Sequence, residues 1–88
     1  MNYLRDIEDF AREWNVTRIE FCRRFERNRA EVLKEGVFSY TSWYMPRTGT
    51  ERMCFTIRYT KELGVTVYHG NGDKMQQGEV LCVSDLTA

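Results

Sequence analysis

The sequence predicts an α+β fold, with two N-terminal helices packed on a three- to four-stranded antiparallel sheet. Three observations carry this expectation. Apolar residues recur at steps of three and four over the first part of the chain, which is the helical period. After Gly36 the period becomes two, in segments rich in aromatic and β-branched residues. Short turn-forming stretches separate those segments, as an antiparallel meander requires.

The elements follow in order. Tyr3, Leu4, Ile7, Phe10, Ala11 and Trp14 form one apolar stripe, which predicts a helix from about residue 2 to 14. Asn15-Val16-Thr17 interrupts the pattern. Thr17, with Glu20 three residues on, has the form of a capping box, so a second helix is expected to start near residue 18. On it, Phe21, Cys22, Phe25, Val32 and Leu33 fall within one third of the circumference. Gly36 closes it, because glycine accepts the left-handed conformation.

"VFSYTSWYM" is the first strand and "PRTGT" the turn after it. "ERMCFTIRY" alternates, with Met53, Phe55, Ile57 and Tyr59 on one face and Arg52, Cys54, Thr56 and Arg58 on the other. "KELG" is a second turn, "VTVYH" a short strand, "GNGDKMQQG" a loop and "EVLCVS" a last strand.

At 88 residues the chain is expected to be one domain spanning 1–88, with no room for a second core. Aromatics at 14% supply large side chains for that core and exclude a disordered chain. Thirteen basic residues cancel thirteen acidic ones, whereas a protein that lives on nucleic acid carries a basic excess. The balance is uneven, however: residues 1–16 sum to −2, residues 17–34 to +3 and residues 35–88 to −1.

No run of apolar residues is long enough for a membrane span, and the acidic, amphipathic start does not resemble a signal peptide. Cys22, Cys54 and Cys82 have no short spacing, so reduced thiols and a cytoplasmic setting are expected. A zinc site would need these three and His69 to converge without any close ligand pair, so no metal or cofactor is expected. His69, the sole histidine, is the one residue through which triad-type nucleophilic chemistry would have to pass, and its place at a strand end is ordinary for a solvated polar residue.

The aromatic strand is the feature that most calls for a partner. Alternation puts Tyr40 and Tyr44 on one face, Trp43 and Met45 on the other. If the helices cover one face, the tyrosine-bearing face is open, with Arg52 and Arg58 on the neighbouring strand. Tyr, Trp, Met and Arg are enriched at protein interfaces. The expectation is a small non-enzymatic protein-binding modulator or inhibitor, of the kind mobile genetic elements encode. It would act by steric occlusion through Tyr40, Tyr44, Arg52 and Arg58. A protein is the expected partner, and a homodimer is also compatible with the sequence.

The alternative is a helix-turn-helix-like DNA-binding regulator. "FAREWNVTRIEFCRRF" has that register, with Arg18, Arg23, Arg24 and Arg27 on the basic second helix (residues 17–34) facing the duplex. Against it stand the absence of a third helix and the i, i+4 pairs Glu20–Arg24 and Arg27–Glu31, which describe an ordinary solvated face. Third comes a metal-free ribonuclease-like toxin with Arg52, Arg58, Tyr59, Lys61 and His69 as its group.

Overall fold

The computed structural model describes residues 3–47 and 49–86. Helix α1 spans Tyr3–Arg27 and α2 spans Arg29–Glu35, followed by strands β1 (Val37–Tyr44), β2 (Met53–Thr60), β3 (Gly64–Gly70) and β4 (Met75–Leu81) and a short 3-10 turn, η1 (Val83–Leu86). The strands form one antiparallel sheet in the order β1-β2-β3-β4, and the helices pack on one of its faces. The expected α+β architecture, two helices on an antiparallel sheet of four strands, is what the chain adopts.

The helix boundary differs from expectation. The chain does not turn at Asn15–Thr17, and α1 continues through that stretch for 25 residues, about 37 Å at 1.5 Å per residue. Thr17 is fully buried, and its hydroxyl donates to the Glu13 carbonyl at 2.6 Å. The side chain that looked like a cap is instead a mid-helix threonine bonding back one turn. The break falls at Asn28, whose backbone leaves helical geometry (φ −111°, ψ 19°) and whose side-chain amide donates to the Arg24 carbonyl. α2 then closes on Gly36 in the left-handed conformation (φ 78°), as expected, with the Gly36 amide donating to the Val32 carbonyl.

The core lies between α1 and the first three strands. Phe21, Phe25, Val32, Ile57, Val65 and Leu86 are buried together, with Phe38, Tyr40 and Tyr59 packed against them. α1 runs antiparallel to β1. Phe21 and Phe25 meet Phe38 near the start of the strand, and Asp9 meets Arg47 just past its end. α1 therefore lies over β1 and β2. η1 brings Leu86 back under the helix, where Arg18 donates to the Leu86 carbonyl at 2.8 Å.

The expected loop Gly70–Gly78 is shorter than predicted, because β4 begins at Met75 rather than Glu79. It pairs with β3 through Gly70↔Met75, His69↔Gln76 and Tyr68↔Gln77, then shifts register at a bulge before Thr66↔Val80. Gly72 (φ 102°) turns this hairpin, and a methyl group there would meet the Trp43 ring.

Asp9 fastens the far end of α1 to the β1–β2 turn. Its buried carboxylate accepts the Arg47 amide at 2.9 Å and the Arg47 Nε at 2.8 Å, and it also accepts Arg12. The Arg47 amide, above all, then the Arg12 and Arg47 guanidinium groups, hold its carboxyl below the usual carboxylate range against the opposing effect of burial. A carboxylate whose pKa is depressed on folding stabilises the fold above its unfolded value, and that stabilisation is lost as pH falls through the folded value. Urea denaturation followed across acidic pH is expected to show stability declining below the ordinary aspartate range, and Asp9→Asn is expected to be less stable at neutral pH with a flatter acidic limb.

Candidate functional site

The sheet has two unlike faces. Cross-strand register puts Phe38, Tyr40 and Tyr44 of β1 on the same side as Tyr59, Ile57 and Met53 of β2, and Ile57 in turn opposite Val67 of β3. Directly opposed residues share a face, so this whole row lies under the helices. The other face carries Trp43, Cys54, Arg58, Thr66, Tyr68 and Val80. Among the described residues no helix covers it, although Cys54 and Thr66 are themselves buried, and the Arg52 guanidinium sits 4.7 Å over the Trp43 ring. Thr41 and Thr56 share a 2.8 Å hydroxyl bond at its centre.

The four residues expected to act together are thereby divided. Arg52 and Arg58 are exposed on or beside the open face, as predicted. Tyr40 and Tyr44 point the other way, beneath α1. Arg24 lies 4.8 Å over the Tyr40 ring, and Tyr44 stacks on Phe55 at 5.9 Å. The alternation holds, but the helices take the tyrosine-bearing face through the pairings Tyr40↔Ile57 and Tyr44↔Met53. The aromatic residue that the open face does present is Trp43.

On the helix side, α1 stops short of β3 and β4, where Val65 is sealed but Val67, His69 and Leu81 are only half-buried. A groove of about 410 Å³ runs between α1 and β4, walled by Phe10 and Trp14 and floored by Phe55, Val67, His69 and Leu81, with Gln76 and Glu79 on its outer side. The apolar stripe that predicted the first helix is only partly sealed: Phe10, which lines this space, is 44% exposed, and Ile7, a turn earlier, 63%. The side chains of Tyr3 and Leu4, which belong to the same stripe, lie outside the described residues.

His69 sits at the inner end of the groove. Its Nε2 is 2.7 Å from the Tyr44 hydroxyl, and its ring lies 4.5 Å from Phe55 and 4.9 Å from Phe10. Burial lowers the His69 pKa, and burial, with Glu13 and Asp9 nearby, raises that of Tyr44. Both effects favour the neutral pair, which shares one hydrogen bond between the tyrosine hydroxyl and the imidazole Nε2. The groove is thus lined by rings, aliphatic groups and amides, and Glu79 is the one formal charge among its lining residues.

The basic helix resolves residue by residue. Arg18 is tied to Asn15 and to the Leu86 carbonyl. Arg24 pairs with Glu20 at 2.9 Å while covering Tyr40, and Arg23 lies 3.7 Å from the same carboxylate. Arg23 and Arg27 are exposed. Without a turn at residues 15–17, the helix-turn-helix register is not formed, and the arginines occupy one continuous helix. Arg29, the first residue of α2, is exposed and pairs with Glu26 at 2.8 Å.

The ribonuclease-like group does not assemble either. Tyr59 and His69 lie on the helix side, and Arg58 on the other. Among the described residues no three His, Cys, Asp or Glu side chains gather as metal ligands, and no helix is long and apolar enough to cross a membrane. All three cysteines are free, and burial pushes the Cys22 and Cys54 thiols up, away from the reactive thiolate.

Comparison with known protein families, with characterised proteins and with solved structures finds no match to the chain.

The His69 environment is directly testable. A histidine whose pKa is lowered on folding makes the unfolded state the better proton acceptor, so stability falls as pH drops from the unfolded value near 6.5 through the folded one. The His69 ring resonances in an NMR titration are expected to move with a midpoint below that ordinary value. Tyr44→Phe is expected to shift this midpoint.

Proposed function

We propose that this protein is a non-enzymatic binding module that takes an amphipathic helix of another protein into the α1–β4 groove and acts by occluding that helix from its other partners. The observation that carries the reading is the open apolar groove itself, walled by Phe10, 44% exposed, and the half-buried Trp14 beside β3 and β4. Apolar patterning of this kind is normally buried, and a contiguous exposed patch rimmed by polar groups marks an interaction surface. The groove's volume holds on the order of three large aliphatic side chains, which matches the i, i+4, i+7 anchors of a helix seated in a groove.

A helix fits better than an added strand. The span of β3 and β4 is two strands wide, about 10 Å at 4.8 Å per strand, which is the diameter of a helix with its side chains. The adjoining edge, β4, is bulged between Gln77 and Val80 and carries Glu79, both of which blunt strand addition. With Glu79 as the one formal charge lining the groove, the favoured occupant has a basic flank beside its apolar anchors. Trp43, Arg52 and Arg58 on the opposite face stay available as a second contact, but they lack the tyrosines that were expected to join them.

An amphipathic helical peptide built of leucine and lysine is the probe. Titrated into isotopically labelled protein, it is expected to shift the resonances of Phe10, Val67, His69 and Leu81 and to leave Arg58 and Thr41 unmoved. Glu79→Lys and Phe10→Ala are each expected to weaken it about tenfold, near 1.4 kcal/mol, with circular dichroism unchanged for Glu79→Lys. Shifts centred on Trp43, or wild-type affinity retained by both variants, would remove the groove from the mechanism.

A further inference from the structure

The two edges of the sheet are built differently. β4 is bulged and charged, as edges of monomeric proteins generally are. β1 pairs with β2 in unbroken register from Val37↔Thr60 to Tyr44↔Met53, and Val37–Tyr44 contains no charged residue, proline or glycine. Its outer edge is a long, regular, uncharged template of the kind that recruits another strand.

We propose that β1 pairs antiparallel with β1 of a second copy of this chain, about a two-fold axis at Tyr40, so that the two sheets join into one of eight strands and the two α1 helices pack side by side. An isologous pairing of this kind must keep both sets of helices on the same side, so each residue must oppose one of equal facing. With Tyr40 opposite its own copy this holds along the strand, and Val37 comes to lie opposite Trp43 of the second copy. These are the two apolar residues of β1 left most open on the uncovered face, each 45% exposed. Together they form an aromatic–β-branched pair.

The helices fit the same axis. α1 lies over β1 and β2. At 4.8 Å per strand, two copies joined at β1 set their α1 axes about 10 Å apart, which is within normal helix-packing distance. Charge complementarity selects this antiparallel arrangement. Residues 1–16 sum to −2 and residues 17–34 to +3. The axis crosses α1 near Arg18, since Phe21 and Phe25 lie over Phe38 while Phe10 and Tyr44 meet at Phe55. The acidic half of each helix then runs along the basic half of the other, with Glu13 level with Arg23 of the second copy. The polarity of a chain with no net charge is accounted for by its facing itself. The α1–β4 grooves lie at the outer margins of this assembly and stay open.

Sedimentation equilibrium of the full chain from micromolar to millimolar concentration tests the proposal. The wild type is expected to dimerise, more weakly as salt is raised. Glu13→Arg and Arg23→Glu, each alone, are expected to raise the dissociation constant about tenfold or more, because like charges then meet twice across the axis. An equimolar mixture of the two variants is expected to recover the dimer as a heterodimer, a result that misfolding of either variant cannot produce. Gln77→Lys on the opposite edge is expected to have no effect. A wild type that stays monomeric throughout, or a dimer indifferent to both charge reversals, overturns the proposal; so does a mixture that fails to recover while both variants keep wild-type circular dichroism.

Discussion

One helix about 10 Å across cannot roof four strands that together span roughly 19 Å, and most of this molecule follows from that mismatch. α1 lies over β1 and β2 and seals Phe21, Phe25 and Ile57 on that side. The remaining half of the same face is served by one short device. η1 folds Leu86 back beneath the helix and Arg18 holds its carbonyl, which closes the Val65 end of the sheet. The other end, around His69 and Val67, receives no such cover, and the groove is what remains. Its walls are apolar because Phe10 and Trp14 of the helical stripe pack on Phe55 and His69 and still leave part of their rings to the groove.

The strands were legible because period-two alternation is a local signal and the register only has to agree with it. Phe55 and Ile57 alternate with Thr56 and Arg58, and the structure buries the first pair under the helices. The start of β4 was not legible. Met75-Gln76-Gln77 has no apolar alternation and is held as a strand by backbone pairing to β3, with the Met75 sulfur accepting from the Gly72 amide and from the Cys54 thiol. The helix break was misplaced for a related reason. A threonine three residues before a glutamate reads as a cap when it stands outside a helix and as a back-bonded interior residue when inside. Only the burial of Thr17 against the sheet decides between them. Asn28, where the break does occur, disturbs no apolar spacing and carries no local mark stronger than its side-chain bond to Arg24.

The division of the expected site has the same origin. Alternation states that Tyr40 and Tyr44 share a face and that Trp43 has the other, but not which face the helices take. That depends on the pairing Tyr40↔Ile57, which couples the tyrosines to the apolar side of β2. The coupling is set by the turn between β1 and β2, and Asp9 fixes that turn from α1 through the Arg47 backbone amide. A contact between residues 38 apart in sequence therefore takes part in choosing which aromatic residues meet solvent. Single-strand periodicity contains no information about it.

The arginines of α1 illustrate how a local composition can suggest one chemistry and serve another. A phosphate-binding surface needs guanidinium groups that are free to leave their neighbours. Arg18 is bound to η1, and Arg24 is shared between Glu20 and the Tyr40 ring. Arg12 is committed to Asp9. The positive charge that is left on Arg23 and Arg27 lies at one end of a helix whose other end is acidic. Such a dipolar rod attracts a polyanion at one end and repels it at the other, whereas a surface of matching polarity attracts it along the whole length. The helix is thus better suited to lie against a protein surface of alternating sign than along a nucleic-acid backbone.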